Sequence, residues 1–343
     1  MKKDTKLILL FGLLVVFTVM LTACAGEAGP AGPAGPAGPA GPAGPAGADG
    51  ADGADGVAAE AELACGDCHN DTTLITGKQT AWAESVHGSG EAYARGRSSS
   101  CAGCHSGGGF SARVAAGLNP GEVEEGDPNP TRQDCRACHQ VHTTYTGADW
   151  ALETTAPVDF YAFEGVTYDG GKGNLCAECH QPRRGIAEAV DGQIEVTSTH
   201  WGPHHGGQGS MLLGIAGAGA VEGKPSGHYN MVEDTCVACH VGNGQHTFEP
   251  SVSACQACHQ DAENFDINGV QTEVKAMLDE LEAGLISLGW LDEEGHPTVA
   301  FVPEDQAAAL WNWIYIAHED GSYGVHNAAY TKALLQAGLD ALP

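Results

Sequence analysis

The sequence predicts a mainly α-helical chain with much irregular structure, an N-terminal collagen-like stalk and a C-terminal helical bundle. Three observations predict it. Glycine recurs at every third position from Gly26 to Gly56, Cys-x-x-Cys-His occurs six times between Cys65 and His259, and apolar residues at helical spacing mark the stretch after residue 266. Composition adds a constraint on the middle of the chain. Hydrophobic residues make up 42% but aromatics only 6%, and much of the apolar total is Ala and other short side chains that bury little area each. This points to a core filled in part by something other than side chains. The charge is also one-sided: 15 Lys and Arg stand against 44 Asp and Glu, a net −29. A nucleic-acid partner is excluded on that ground, since phosphate neutralisation needs clustered basic residues.

The first element, residues 1–23, reads as a signal peptide. Lys2, Lys3 and Lys6 precede an apolar run from Leu7 to Leu21, shorter than the roughly 20 residues of a membrane span. The run closes in Leu21-Thr22-Ala23-Cys24, which resembles the bacterial lipobox, in which the Cys is lipidated and becomes the first mature residue. Cys24 is therefore the expected lipidation site. The other 12 cysteines all fall in paired motifs and leave it no disulfide partner. The protein is expected to be exported, as a cell-membrane or cell-surface lipoprotein facing the periplasm or the exterior, with the membrane as partner through its anchor.

The second element, residues 24–56, is the stalk. From Gly26 it runs as one Gly-Glu-Ala, six Gly-Pro-Ala and three Gly-Ala-Asp triplets, a collagen-like period. In polyproline geometry, at about 3.1 Å per residue, it would reach roughly 90 Å. Two readings stay open: a triple helix, and hence a homotrimer, or a single semi-rigid spacer. Asp49, Asp52 and Asp55 weigh against the trimer, because three copies would crowd nine carboxylates with no stalk Lys or Arg to offset them.

The third element, residues 57–265, holds the six motifs: Cys65, Cys68 and His69; Cys101, Cys104 and His105; Cys135, Cys138 and His139; Cys176, Cys179 and His180; Cys236, Cys239 and His240; Cys255, Cys258 and His259. Each is the attachment signature of haem c. Two thiols three positions apart can reach both vinyl groups on one porphyrin edge, and the adjoining His is then placed under the iron as proximal ligand. Zinc on Cys-x-x-Cys pairs would not explain a His after every second Cys. The 287 residues from Val57 to Pro343 leave about 48 per haem, too few to wrap each in a domain of its own. The expected fold is thus a multihaem cytochrome c built around packed haems. Successive first cysteines are 36, 34, 41, 60 and 19 residues apart, so the last two haems must be close neighbours.

An electron carrier needs a second axial ligand on each iron, and ten histidines lie outside the motifs. The leading candidates are His87, His142, His228, His246 and His326, with His204 or His205 able to supply the sixth. His142 lies three residues past His139, an awkward reach for its own haem, so a neighbouring haem is the better partner. His200, His296 and His318 rank behind these, and Met211, Met231 and Met277 behind the histidines.

The fourth element, residues 266–343, is the helical region expected to pack on the haems. Val274, Met277, Leu278, Leu281 and Leu285 form an amphipathic stripe. Pro303, Glu304 and Asp305 read as a helix start, with Leu310, Trp311 and Ile314 on one face. Asn327 is placed to cap a last helix through Leu339, with His326 at its beginning. Trp311 and Trp313 read as core rather than redox relay.

Four segments carry a family resemblance: WAESVHG (82–88), GPHHGGQGSMLLG (202–214), CVACHVGNGQHTFEP (236–250) and GVHNAAYTKALL (324–335). They resemble the exported multihaem c-type cytochromes related to the pentahaem nitrite reductase and octahaem hydroxylamine oxidoreductase group. The resemblance implies that His87, His228, His246 and His326 are distal ligands, that a His near His204 lies beside a haem, and that helices close the C-terminus. One departure bears on function. The nitrite reductase group often marks its catalytic haem with Lys in place of the motif His, whereas all six motifs here keep His. Electron transfer, with no catalytic residue, is therefore favoured over catalysis, the partners being redox proteins or extracellular electron acceptors. A reductase of a small nitrogen or sulfur oxyanion, with one open iron, is the alternative, and a subunit of a haem filament is a third.

Overall fold

The computed structural model describes residues 73–343 apart from His205. The signal peptide, Cys24, the stalk, the first motif (Cys65, Cys68, His69) and His205 lie outside the described residues.

The haem-motif half is built from short helices joined by irregular chain. They are α1 (Thr73–Glu84), α2 (Val86–Ser89), α3 (Ser99–His105), α4 (Gly107–Ala115), α5 (Cys135–Cys138), α6 (Asn174–Ala177), α7 (Gln208–Leu213), α8 (Gly227–Met231), α9 (Cys236–His240) and α10 (Val252–Cys255). Helices this short do not hold by propensity, because nucleation costs more than one or two turns return. Caps and tertiary contacts hold them. Ser85, Ser106, Asp134 and Ser226 each accept a backbone N–H at the start of α2, α4, α5 and α8. Each of the five described motifs folds around a helical turn. The amide of the motif His donates to the carbonyl of the first Cys in His139, His180 and His259, each at 2.8 Å. That turn sets the two thiols and the imidazole in fixed relation.

Few large apolar side chains are buried in this half. Between residues 73 and 150 the buried apolar residues are Ala102, Phe110 and Ala137. A small core of Val158, Phe160, Tyr168, Ala177, Leu212 and Leu213 follows, around the two-stranded ribbon β1 (Val158–Asp159) and β2 (Thr167–Tyr168).

The tail supplies the main apolar core. Helix α11 (Val270–Ser287) buries Val274, Leu278, Leu281 and Leu285, the predicted stripe, with Met277 packed at its margin. Helix α12 (Ala307–Ile314) differs from the expectation of one buried face, since all eight of its residues are buried. It is wedged between α11 and α13 (Ala328–Asp340) and meets Trp201, whose ring lies edge-on to Trp311 at 5.1 Å. Trp311 and Trp313 are both buried. Helix α13 is capped by Asn327, which accepts from the Tyr330 amide. Gly338 allows α13 to approach α11: a Cβ there would sit 2.8 Å from Leu281 Cδ2. Pro303 closes strand β4 (Phe301–Pro303) and a 3₁₀ turn, Glu304–Gln306, precedes α12, so the helix starts later than its Pro-Glu-Asp signal. β4 pairs antiparallel with β3 (Gln193–Glu195), Ile194 opposite Val302, and ties the tail to the middle of the chain. After α12 the chain widens into a π-helical turn, Tyr315–Asp320, ended by Gly321 at φ 65°. No helix of the described residues is long and apolar enough to cross a membrane.

Candidate metal centres

The structure brings five motif histidines opposite five non-motif histidines. Ring centres are 6.1 Å apart for His180 and His87, 6.1 Å for His105 and His204, 6.4 Å for His139 and His246, 6.3 Å for His240 and His326, and 6.3 Å for His259 and His228. The constancy of this spacing is informative. Two imidazoles bound to one metal from opposite sides, with metal–nitrogen bonds of about 2.0–2.1 Å and ring centres about 1.1 Å behind the nitrogens, stand about 6.3 Å apart. Direct stacking would be closer, and unrelated histidines would scatter.

The outward ring nitrogens point the same way. Nδ1 of His139, His228, His240 and His246 faces the carbonyls of Trp150, Val325, Phe248 and Gly244 at 2.7–2.8 Å. A carbonyl can only accept, so Nδ1 must donate, and the lone pair is left on Nε2 for a metal. His180 Nδ1 meets Oε1 of Gln208 at 2.9 Å, and His326 Nδ1 meets Oδ1 of Asp320 at 2.6 Å. Burial, with the charge of His180 second, pushes His87 down to about 4. A ring that stays neutral at pH 7 is the form a metal requires. Burial followed by Arg95 lowers His105 as well. The residues present therefore fit a haem iron that would be held by one motif imidazole and one non-motif imidazole.

The ligand candidates are placed by elements far apart in the chain. His87 sits in α2, held by the Ser85 cap and by Trp82, whose indole N–H donates to the Gln133 carbonyl at 2.7 Å. Gln133 in turn donates from its side chain to Cys104 O at 2.8 Å. Gly88 is required here, since a Cβ would lie 2.1 Å from Trp82 O. His204 has φ 96°, a region costly for any residue with a Cβ. His142 stacks on Tyr145 with ring centres 5.6 Å apart. His200 and His296 meet edge to face at 5.6 Å, and His318 lies against Trp313 at 5.1 Å.

The motifs also touch one another. Cys104 Sγ lies 3.9 Å from Glu178 O and Cys179 Sγ 3.9 Å from Cys104 O, which brings the second motif against the fourth, and Lys172 pairs with Asp234 at 2.6 Å just ahead of the fourth and fifth motifs. Arg113 binds the first of these junctions. Its guanidinium donates to Gly103 O and Leu118 O and pairs with Glu178 at 2.9 Å, almost fully buried. Phe248 packs on His87 at 4.8 Å and on His246 at 6.0 Å. Sequence reading missed Arg113, Gln208, Phe248 and Asp320. None carries a local signal, for each acts on residues distant in the chain or across a turn.

Residues 52–140 match the family model for cytochrome c7 and related cytochrome c. That stretch spans the first three motifs. It supports a multihaem c-type cytochrome, with covalently bound haem c and electron transfer as the family's business. No curated protein and no solved structure matches the chain.

Proposed function

We propose that the chain is an exported, lipid-anchored hexahaem cytochrome c that carries electrons between a membrane or periplasmic donor and an acceptor farther out. The observation that carries it is the set of five motif and non-motif histidine pairs at 6.1–6.4 Å. The residues that would hold the irons are paired as His105 with His204, His139 with His246, His180 with His87, His240 with His326 and His259 with His228. His139 faces His246, and His142 would serve a neighbouring haem rather than that of its own motif. Haem c supplies a one-electron iron couple. The chain's residues fix the imidazole tautomers through carbonyl acceptors, hold the rings on both faces and keep the motifs in contact.

The lipobox-like run ending at Cys24 and the glycine-periodic stalk support a lipid anchor and a spacer. The acidic surface favours basic redox partners or cationic acceptors and disfavours anionic ones. The finer resemblance, to the nitrite reductase and hydroxylamine oxidoreductase group, rests on the four sequence segments.

Carbon monoxide tests the carrier reading. With every iron held by two imidazoles, reduced holoprotein should be low-spin and show little carbon monoxide shift, while replacing His204 and His205 together should open one haem. A wild-type high-spin fraction of about one haem in six, together with turnover of nitrite or hydroxylamine, would instead make it a reductase. Filaments seen by electron microscopy would make it an assembly subunit.

A further inference from the structure

The ring partners of the ligand histidines are not equivalent. Four of them donate to backbone carbonyls and His180 meets a side-chain amide oxygen. His326 meets a carboxylate. Asp320 Oδ1 lies 2.6 Å from His326 Nδ1, and the Asp320 side chain has no exposure to solvent. Its other oxygen accepts from both the amide and the hydroxyl of Ser322, and the same hydroxyl accepts from the His326 amide at 3.2 Å. The arrangement is braced from the core side. Asp320 ends the π-helical turn whose Tyr315 and Ile316 are fully buried, and Gly321 at φ 65° turns the chain back toward His326.

We propose that Asp320 lowers the reduction potential of the fifth-motif haem, held by His240 and His326, below that of an iron whose ligands are oriented by carbonyls. This rests on the axial assignment made above. A buried carboxylate draws the Nδ1 proton harder than a neutral carbonyl does and gives the imidazole part of the character of an imidazolate. That makes His326 a stronger donor and favours Fe(III) over Fe(II). The negative charge of the carboxylate acts in the same direction. The step concerned is Fe(III) plus one electron giving Fe(II), with the proton remaining on Nδ1 in both states. The chain leading into the fifth motif is tied to that leading into the fourth by Lys172 and Asp234 at 2.6 Å, and α9 of the fifth motif is in contact with α10, which leads into the sixth. Asp320 therefore sets the level of a position between two others. It is a positioning and tuning residue, since it acts on iron through His326.

The test is a redox titration of the full holoprotein, followed by optical and EPR spectra. Asp320→Asn keeps the shape and a hydrogen-bond acceptor but removes the charge. One of the components should move positive, the others should stay, haem content should be unchanged, and one low-spin EPR signal should change its g values. Asp320→Glu should return that component toward its original position. Ser322→Ala removes a hydrogen bond from the carboxylate, leaves Asp320 a stronger acceptor and should move the same component negative, which keeps the proposal testable if Asp320→Asn does not fold. Asp320→Asn that titrates as wild type with full haem content would overturn the tuning role while leaving the ligands intact. If His326→Ala loads haem and produces no new high-spin iron, the axial assignment itself fails.

Discussion

Glu319 shows how a single side chain makes the fold sensitive to pH. It is 2% exposed, with its carboxylate shut away from water. Burial pushes its pKa up from 4.5 to about 8, against the opposing pull of Arg184. The carboxyl is thus protonated at neutral pH in the folded chain and ionised in the unfolded one. Since the folded state holds a proton that the unfolded state releases, stability falls as pH rises between those two values and levels off above the higher one. Glu319→Gln keeps the shape and cannot ionise. It is expected to raise stability by up to about 5 kcal/mol above about pH 8 and to change little near pH 4. Thermal melts of the two proteins across that range check this, and parallel curves would contradict it.

At the scale of elements, junctions between short helices matter more than the helices. Turns such as α5 and α6 have four residues each and gain little from their own hydrogen bonds. Arg113 on α4 compensates by tying α3 to the fourth motif with three kinds of contact: Gly103 O, Leu118 O and the Glu178 carboxylate. Removing one partner of a buried ion pair leaves the other charge without its counterion, at a cost of about 3–5 kcal/mol. Arg113→Ala should destabilise the holoprotein by that amount in urea titration, and Arg113→Lys should recover only part, because an ammonium lacks the planar fork. A loss under about 1 kcal/mol would show that the junction is held by other contacts, in the range of an exposed pair.

For the whole molecule the expected result is a division of labour along the chain. The six motifs all follow Val57, and the large apolar core is assembled by the tail with Ile194, Trp201 and Met211 from the middle. A chain beginning at Val57 should therefore load six haems, read as six haem increments in intact mass, and stay in the soluble fraction. Cys24→Ser in the full chain should release the protein from membranes in the same way. A majority species with four or fewer haems would refute the count of six, and membrane association that survives Cys24→Ser would refute the anchor.

What the sequence determined by itself is chemistry that closes within a few residues. Cys-x-x-Cys-His needs one helical turn to present two thiols and an imidazole, so each motif reads directly from five letters. The stripe from Val274 to Leu285 and the Asn327 cap are equally local and appear in α11 and α13. The partner of each motif histidine was not legible, because the paired rings are between 31 and 107 residues apart in the chain. Lengthening a loop costs little extra closure entropy, so many pairings were open to the same ten histidines. Packing chose among them: Trp82 on Gln133, Arg113 between two motifs, and Phe248 against His87. The π-helical turn that delivers Asp320 to His326 had no sequence signal, since it arises where a fully buried α12 ends against α7. The tertiary structure decided those positions because only close packing makes one distant contact better than another.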